Sequence, residues 1–301
     1  MLIDRQAMEL KLPYGLRDEK LLTIEDVDSG LACKCVCPGC KKQLIARKGA
    51  VKAHHFAHYQ SEDCLSGFET ALHKLSKEII AASKTFTTPV LYYPYTNYVI
   101  YEETEIFIEN VKLETKLGEF IPDIVIETKG KKLLIEITVN NSVNCEKLQR
   151  IESKNLPAIE IDAKYLMKRL YIQKDFGLKD NLFQTELVSG TIYKSWLHNP
   201  KIRAIKLELK KNYAELKKVK SFKTEEIGYY NYIDECPLEK NAWKSGRNKG
   251  KPYASIDYDC VTCIYCIAID YKHPYRYAIP QTVHCLGYLK NDFKELVKAL
   301  R

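Results

Sequence analysis

Apolar positions along this chain change period several times, and each change marks an element. Between about 66 and 84, Phe68, Leu72, Leu75 and Ile79 recur at helical spacing, and Ser66-Gly-Phe-Glu69 has the form of a capping box, which predicts a helix. Upstream, residues 1–32 read as a short β-rich lead-in with a turn signal at Asp28-Ser-Gly. Thr87 to Tyr101 is rich in Val, Tyr and Thr and reads as strand broken at Pro94, and 105–117 reads as a further extended segment. From about 120 to 140 two apolar runs flank Lys129-Gly130, the pattern of a hairpin. A helix near 143–154 follows, and Pro157 opens a short apolar strand, Ala158-Ile-Glu-Ile161. A strand reached through a helical crossover runs parallel to the strand before it. The order is therefore helix, strand, strand, strand, helix, strand.

Beyond 165 the pattern is less regular. Ile202, Ile205, Leu209, Tyr213 and Leu216 keep roughly helical spacing inside a lysine-rich stretch, so Ile202 to Phe222 reads as a basic helix able to track phosphates or to serve as a solvated linker. Asn291 to Arg301 reads as a short amphipathic helix. These elements predict four parts. A lead-in and metal module occupies 1–64, an α/β domain 65–185, a basic helical linker 186–230, and a cysteine-rich module 231–301.

The hairpin carries the first candidate chemistry. If Lys129-Gly130 is a two-residue turn, Thr128 faces Lys131, and counting back sets Asp123 opposite Glu136. Directly opposed side chains share a face with Cβ atoms about 5 Å apart. Two carboxylates that close repel unless one is protonated or a cation lies between them. A hard divalent ion, Mg²⁺ or Mn²⁺, held by such a pair is an arrangement suited to phosphodiester hydrolysis.

Eleven cysteines in a chain with no apolar leader segment at its start read as metal ligands rather than disulfides. In the first cluster, Cys37-Pro-Gly-Cys40 forms a knuckle that His55 and His58 can close into a tetrahedral Zn²⁺ site, with Cys33, Cys35, His54 and Cys64 as competing ligands. In the second, Cys260-Val-Thr-Cys263 forms another knuckle. Cys236 and Cys285 complete a ribbon-like Zn²⁺ site, with Cys266 and His284 in competition and an iron–sulfur cluster ranked below zinc.

A net charge of +8 has the sign that suits a polyanion. No apolar run approaches the ~20 residues of a membrane span, and a cytoplasmic location is the expectation.

The element order, with Pro122-Asp123 and Glu136-x-Thr138 on adjacent strands, resembles the PD-(D/E)xK or restriction-endonuclease-like core. Cys37-Pro-Gly-Cys40, Leu44-Ile-Ala-Arg-Lys-Gly49, His55-Phe-Ala-His58, Glu69-Thr-Ala-Leu-His73-Lys, Pro122-Asp123 and Ile135-Glu-Ile137, in that order over about 30–165, look like the competence protein CoiA-like family. The resemblance implies an αβββαβ nuclease core flanked by an N-terminal zinc-finger-like module and a C-terminal zinc-ribbon-like module, acting on DNA during uptake or recombination. It implies that Asp123 and Glu136 hold the divalent ion, that Glu69 on the first helix offers a further acid, and that His73, one turn on, orients Glu69 or a phosphate. Thr138 stands where the signature has lysine. Lys147 on the following helix is the best replacement, Lys74 and Lys77 are lesser ones, and Thr138 can instead hydrogen-bond a metal-bound water.

Two further readings stay open beside a DNA nuclease. One is a non-catalytic DNA-binding accessory protein with the same fold, motivated by Thr138 and the lysine-rich segment. The other is a nuclease directed against foreign DNA.

Overall fold

Lys129 and Gly130 both take positive φ, 47° and 69°, the conformation that lets two residues reverse a twisted hairpin. The strands they join, Ile124–Thr128 and Lys131–Thr138, pair with Thr128 opposite Lys131 and Ile124 opposite Ile135. The paired strand ends there, and the same register carried one residue further sets Asp123 beside Glu136, with the Asp123 carboxylate accepting from the Ile137 amide at 2.8 Å. The structure, a computed structural model, describes residues 12, 14–18, 20–49, 54–62, 64–172, 182–225, 228–272 and 279–301. Residues 1–11 of the expected lead-in and 173–181 of the expected central domain lie outside the described residues.

The hairpin forms the middle of a five-stranded sheet. Asn110–Leu113 pairs antiparallel outside Ile124–Thr128, while Ala158–Asp162 pairs parallel to Lys131–Thr138 and carries Lys194–His198 on its far side. The parallel strand follows helix Cys145–Lys154, whose Asn144 cap accepts from the Lys147 amide at 2.8 Å and whose end is marked by Asn155 at φ 51°. The sheet is buried on both sides. Ile124, Ile126, Leu133, Ile135 and Ile137 pack with Ala71, Leu72 and Ile80 of helix Leu65–Ala82. Val125 and Leu134 face Ile151 of the crossover helix. Between the first helix and the crossover helix the chain forms seven strands, of which Asn110–Leu113, Ile124–Thr128 and Lys131–Thr138 belong to this sheet, in a mixed α/β chain with several sheets.

Two sequence expectations fail. The basic helix stops at Asn212, and Glu215–Lys218 and Lys220–Thr224 are strands. Glu215 pairs with Cys285 and Lys220 with Tyr232, so pairing with distant strands overrides the local helical spacing in what was expected to be a basic helical linker. The capping box at Ser66 and Glu69 does not form either. The helix begins at Leu65, with Cys64 rather than Ser66 at the cap position.

The chain divides into two compact units, Met1–Pro89 with Glu103–Asn199, and Val90–Glu102 with Pro200–Arg301. The first contains the five-stranded sheet and the first cysteine cluster. In the second, one sheet pairs Glu215–Lys218, Ile279–Cys285 and Cys266–Lys272, and another orders Lys220–Thr224, Gly228–Asp234, Pro252–Ser255 and Asn241–Ala242. Its core gathers Ile233, Ala254, Ile256 and Val283 with Cys236, Cys260 and Cys285. No helix among the described residues is long and apolar enough to cross a membrane.

Candidate functional site

Three groups of side chains carry chemistry. The first is the carboxylate pair. Glu136 is 2% exposed, on the sheet face that meets the crossover helix, and that helix sends Lys147 Nζ to within 2.6 Å of Glu136 Oε2. Asp123, at the start of the neighbouring strand, accepts from the Ile137 amide at 2.8 Å and lies 3.1 Å from His73 Nε2 of the first helix. Burial pushes the Glu136 carboxyl up, and the charge of Asp123 adds to this against the Lys147 ammonium, leaving it at about 7. Burial also raises Asp123, but His73, the Ile137 amide and Lys147 outweigh it and hold the group below the ordinary range. Glu136 Oε1 is buried without a hydrogen-bond partner. A carboxylate oxygen so placed calls for a proton shared with Asp123, an ordered water or a cation. Two acids and one orphaned oxygen therefore fit a hard divalent ion, while the Lys147 ammonium neutralises part of their charge.

The other expected residues of this site diverge. Glu69 Oε2 accepts from Asn140 Nδ2 at 2.6 Å, and Asn140 Oδ1 accepts from Lys164 Nζ at 2.6 Å. Asn140 and Lys164 carried no sequence signal, because a lone amide just past a strand end matches no motif. Thr138 donates its hydroxyl to the Ile161 carbonyl at 3.3 Å rather than toward the acids. Lys77 pairs with Glu114 at 2.5 Å, and Lys74 lies 3.9 Å from Glu78, so of the candidate lysines Lys147 is the one held at Glu136.

The second group is a Cys3His cluster. Cys37, Cys40, His58 and Cys64 bring their ligand atoms within 4.8 Å of one another. Cys37 Sγ is 3.5 Å from Cys64 Sγ, and Cys40 Sγ is 3.2 Å from His58 Nε2. Tetrahedral zinc with bonds of about 2.3 Å to sulfur sets its sulfurs roughly 3.8 Å apart, so the cluster is near the size a zinc ion needs. The expected ligand His55 is outside it, which corrects the predicted set. His55 and His58 are three residues apart on one strand, with Arg47 and Leu44 as their cross-strand partners, and alternation turns them to opposite faces. Cys64 takes the fourth position. Cys33 and Cys35 are buried core thiols donating to the carbonyls of Leu44 and Cys33, and His54 pairs with Glu25 at 2.8 Å.

Local sequence explains why this cluster closes. A Cβ on Gly39 would meet the backbone of Ser66 and Gly67 at 2.8–2.9 Å, and one on Gly67 would meet Cys37 Sγ at 2.6 Å. The Cys-Pro-Gly-Cys knuckle thus sits directly on the N-terminus of helix Leu65–Ala82. Burial pushes Cys37 up to about 12 against hydrogen bonds from the Cys40 and Gly39 amides. Burial raises Cys64 as well, yet hydrogen bonds from Ser66, Cys40, Cys37 and the Gly67 amide bring it down to about 6. A thiol that ionises readily at a helix N-terminus is disposed to bind a cation.

The third group lies in the second unit. Cys236, Cys260, Cys263, Cys266 and Cys285 line one cavity with Asp259 and Lys240. Cys263 and Cys266 each close a tight turn, with amides donating to Cys260 O at 3.1 Å and Cys263 O at 3.0 Å. Burial, with the charge of Cys263 and Cys285 added, pushes Cys266 up to about 12. Thiols that oppose one another's ionisation in this way need a cation before several can deprotonate together. His284 is not part of the group. It precedes Cys285, on the opposite strand face, and pairs with Asp270 at 2.7 Å.

No curated protein and no solved structure matches the chain. Residues 25–67 match the family model described as competence protein CoiA, N-terminal domain. That span contains the Cys37–Cys40 knuckle, Leu44–Gly49 and the His55–His58 strand, three of the motifs that carry the resemblance, together with Cys64. On this match, residues 25–67 are similar to the N-terminal domain of the competence protein CoiA family.

Proposed function

We propose that the protein is a metal-dependent nuclease acting on DNA, with a restriction-endonuclease-like core, in a competence-related role such as DNA uptake or recombination. One observation carries this reading: Asp123 accepts from the Ile137 amide at 2.8 Å, beside the buried Glu136 whose Oε2 lies 2.6 Å from the Lys147 ammonium. The order of helices and strands around them supports the core, and the competence role rests on the description of the family model matched at residues 25–67.

Asp123 and Glu136 would hold Mg²⁺ or Mn²⁺. When bound, such an ion activates water and neutralises charge developing on a phosphate. Lys147 supplies from the crossover helix the positive charge that Thr138 does not supply from the strand. His73 holds Asp123 ionised and oriented, with the Ile137 amide as a second anchor. Glu69, fixed through Asn140, would stand by as an outer carboxylate. Zn²⁺ serves as a structural ion at Cys37, Cys40, His58 and Cys64, and a second structural Zn²⁺ belongs to the Cys236, Cys260, Cys263 and Cys285 set.

The test is cleavage of single- and double-stranded DNA by purified protein with Mg²⁺ or Mn²⁺. Activity is expected in wild type and lost in Asp123→Ala, Glu136→Ala. Equal activity in that double variant sinks the reading.

A second reading, a non-catalytic DNA-binding accessory protein, has its own observation. Lys147 and His73 already pair with Glu136 and Asp123, the partners a scaffold needs if no metal binds. It expects salt-sensitive DNA binding that is indifferent to Mg²⁺ and to the double substitution.

A further inference from the structure

The four-stranded sheet of the second unit has two unlike faces. Ile233 and Ala254 point into the cysteine-lined core, and alternation turns their neighbours Tyr230, Tyr232 and Tyr253 the other way. The register sets Phe222 opposite Tyr230 and Lys220 opposite Tyr232 on that outer face. Trp243 joins them from the hairpin between Asn241–Ala242 and Pro252–Ser255, held by amide–carbonyl bonds to Lys251 and Gly250 at 3.1 and 2.9 Å. Ring centroids are 5.3 Å apart for Phe222 and Tyr230, 5.1 Å for Tyr232 and Trp243, and 4.3 Å for the stacked pair Trp243 and Tyr253. None of the five rings is among the buried residues of the unit's core, and Phe222 is 42% exposed.

We propose that this aromatic face binds single-stranded DNA by base stacking. The charge beside the rings selects the occupant. Between Trp243 and Pro252 the chain carries Lys244, Arg247, Lys249 and Lys251, all exposed, and no carboxylate. Asp234, at the edge of the face, is neutralised by Lys220 at 2.5 Å. The exposed Phe222 and four half-buried rings next to a run of cations suit a strand that presents a base face and a phosphate at every nucleotide. A duplex hides its base faces, and an apolar protein surface has no use for four cations. The inference rests on the DNA reading above and deepens it by naming the form of DNA.

The test uses the full chain and a fluorescein-labelled oligothymidylate of about 15 nucleotides in Mg²⁺-free buffer, read by anisotropy. Phe222→Leu is expected to weaken binding about tenfold, the scale of one lost base–aromatic stack. Each phosphate contact removed by Lys249→Ala or Lys251→Ala lowers the slope of log K against log salt by about 0.7. Far-UV circular dichroism is expected to match wild type in all three variants, because each side chain is exposed. In a Trp196→Phe background the remaining Trp243 reports directly, and its emission is quenched on saturation with DNA. Unchanged Trp243 emission at saturation, wild-type affinity in Phe222→Leu, or preference for an RNA of equal length over DNA each overturns the proposal. The Asp123→Ala, Glu136→Ala chain separates the two claims. Binding that survives in it while cleavage is absent everywhere removes the nuclease alone, and cleavage without stacking at this face removes the face alone.

Discussion

Lys147 Nζ lies 2.6 Å from Glu136 Oε2, which ties the crossover helix to the buried acid of the central strand. On the nuclease reading this lysine carries the charge that Thr138 leaves unsupplied. Lys147→Met is therefore expected to lower kcat for DNA cleavage by about 10²-fold or more with little change in KM, the scale for loss of a proton-handling group. Lys147→Arg keeps the charge but not the point geometry, and is expected to retain part of the rate. A plasmid-nicking time course with both variants measures it. Full activity in Lys147→Met removes Lys147 from the mechanism.

The raised Glu136 makes stability depend on pH in a definite direction. Its ordinary value is 4.5 and its folded value about 7, so between those values the folded chain holds a proton that the unfolded chain has released. Unfolding free energy then falls as pH rises through this window, by roughly 3 kcal/mol in total. Asp123, held low, acts oppositely: its contribution is present above its unfolded value and lost as pH falls further. Urea melts at pH 5 and pH 8, in divalent-free buffer, are expected to show wild type weaker at pH 8. Glu136→Gln flattens that difference, since no proton is left to lose. An equal pH difference in both proteins contradicts the assignment.

How much of this was legible from sequence depends on how local the cause is. The Asp123–Glu136 register followed from two turn residues, because a two-residue turn fixes every pair behind it. The Cys37–Cys40 knuckle was equally local. Cys64 entered the cluster because the helix starts beside the knuckle, a tertiary contact that spacing does not encode, while strand alternation could already have excluded His55. Residues 215–224 misled for the same reason as Cys64. Their lysines and apolar spacing suit a helix, and only pairing with Ile279–Cys285 and Gly228–Asp234 makes them strands.

The ligand set gives a direct test. Cys64→Ser is expected to lower bound zinc by one equivalent per chain, measured by elemental analysis of the purified protein, whereas His55→Ala leaves the zinc content unchanged. Because binding energy at a structural zinc site is folding energy, the Cys64→Ser protein is also expected to melt on the order of 10 °C lower. Zinc lost from His55→Ala and kept by Cys64→Ser restores the ligand set read from the sequence.

Gly67 offers a steric probe of the same contact that leaves every ligand residue in place. Its missing side chain leaves room for two sulfurs, since a Cβ there would stand 2.6 Å from Cys37 Sγ and 3.1 Å from Cys64 Sγ. Elsewhere in a helix, replacing glycine by alanine stabilises by up to about 1 kcal/mol. At Gly67 the sign reverses, because the methyl group must push the knuckle off the helix N-terminus, an overpacking that costs about 1–3 kcal/mol. Gly67→Ala is therefore expected to lower the melting temperature by roughly 2–10 °C and to weaken zinc retention against a competing chelator. Unaltered melting and unaltered zinc retention would mean that the Cys37–Cys64 sulfurs are not seated against this helix turn.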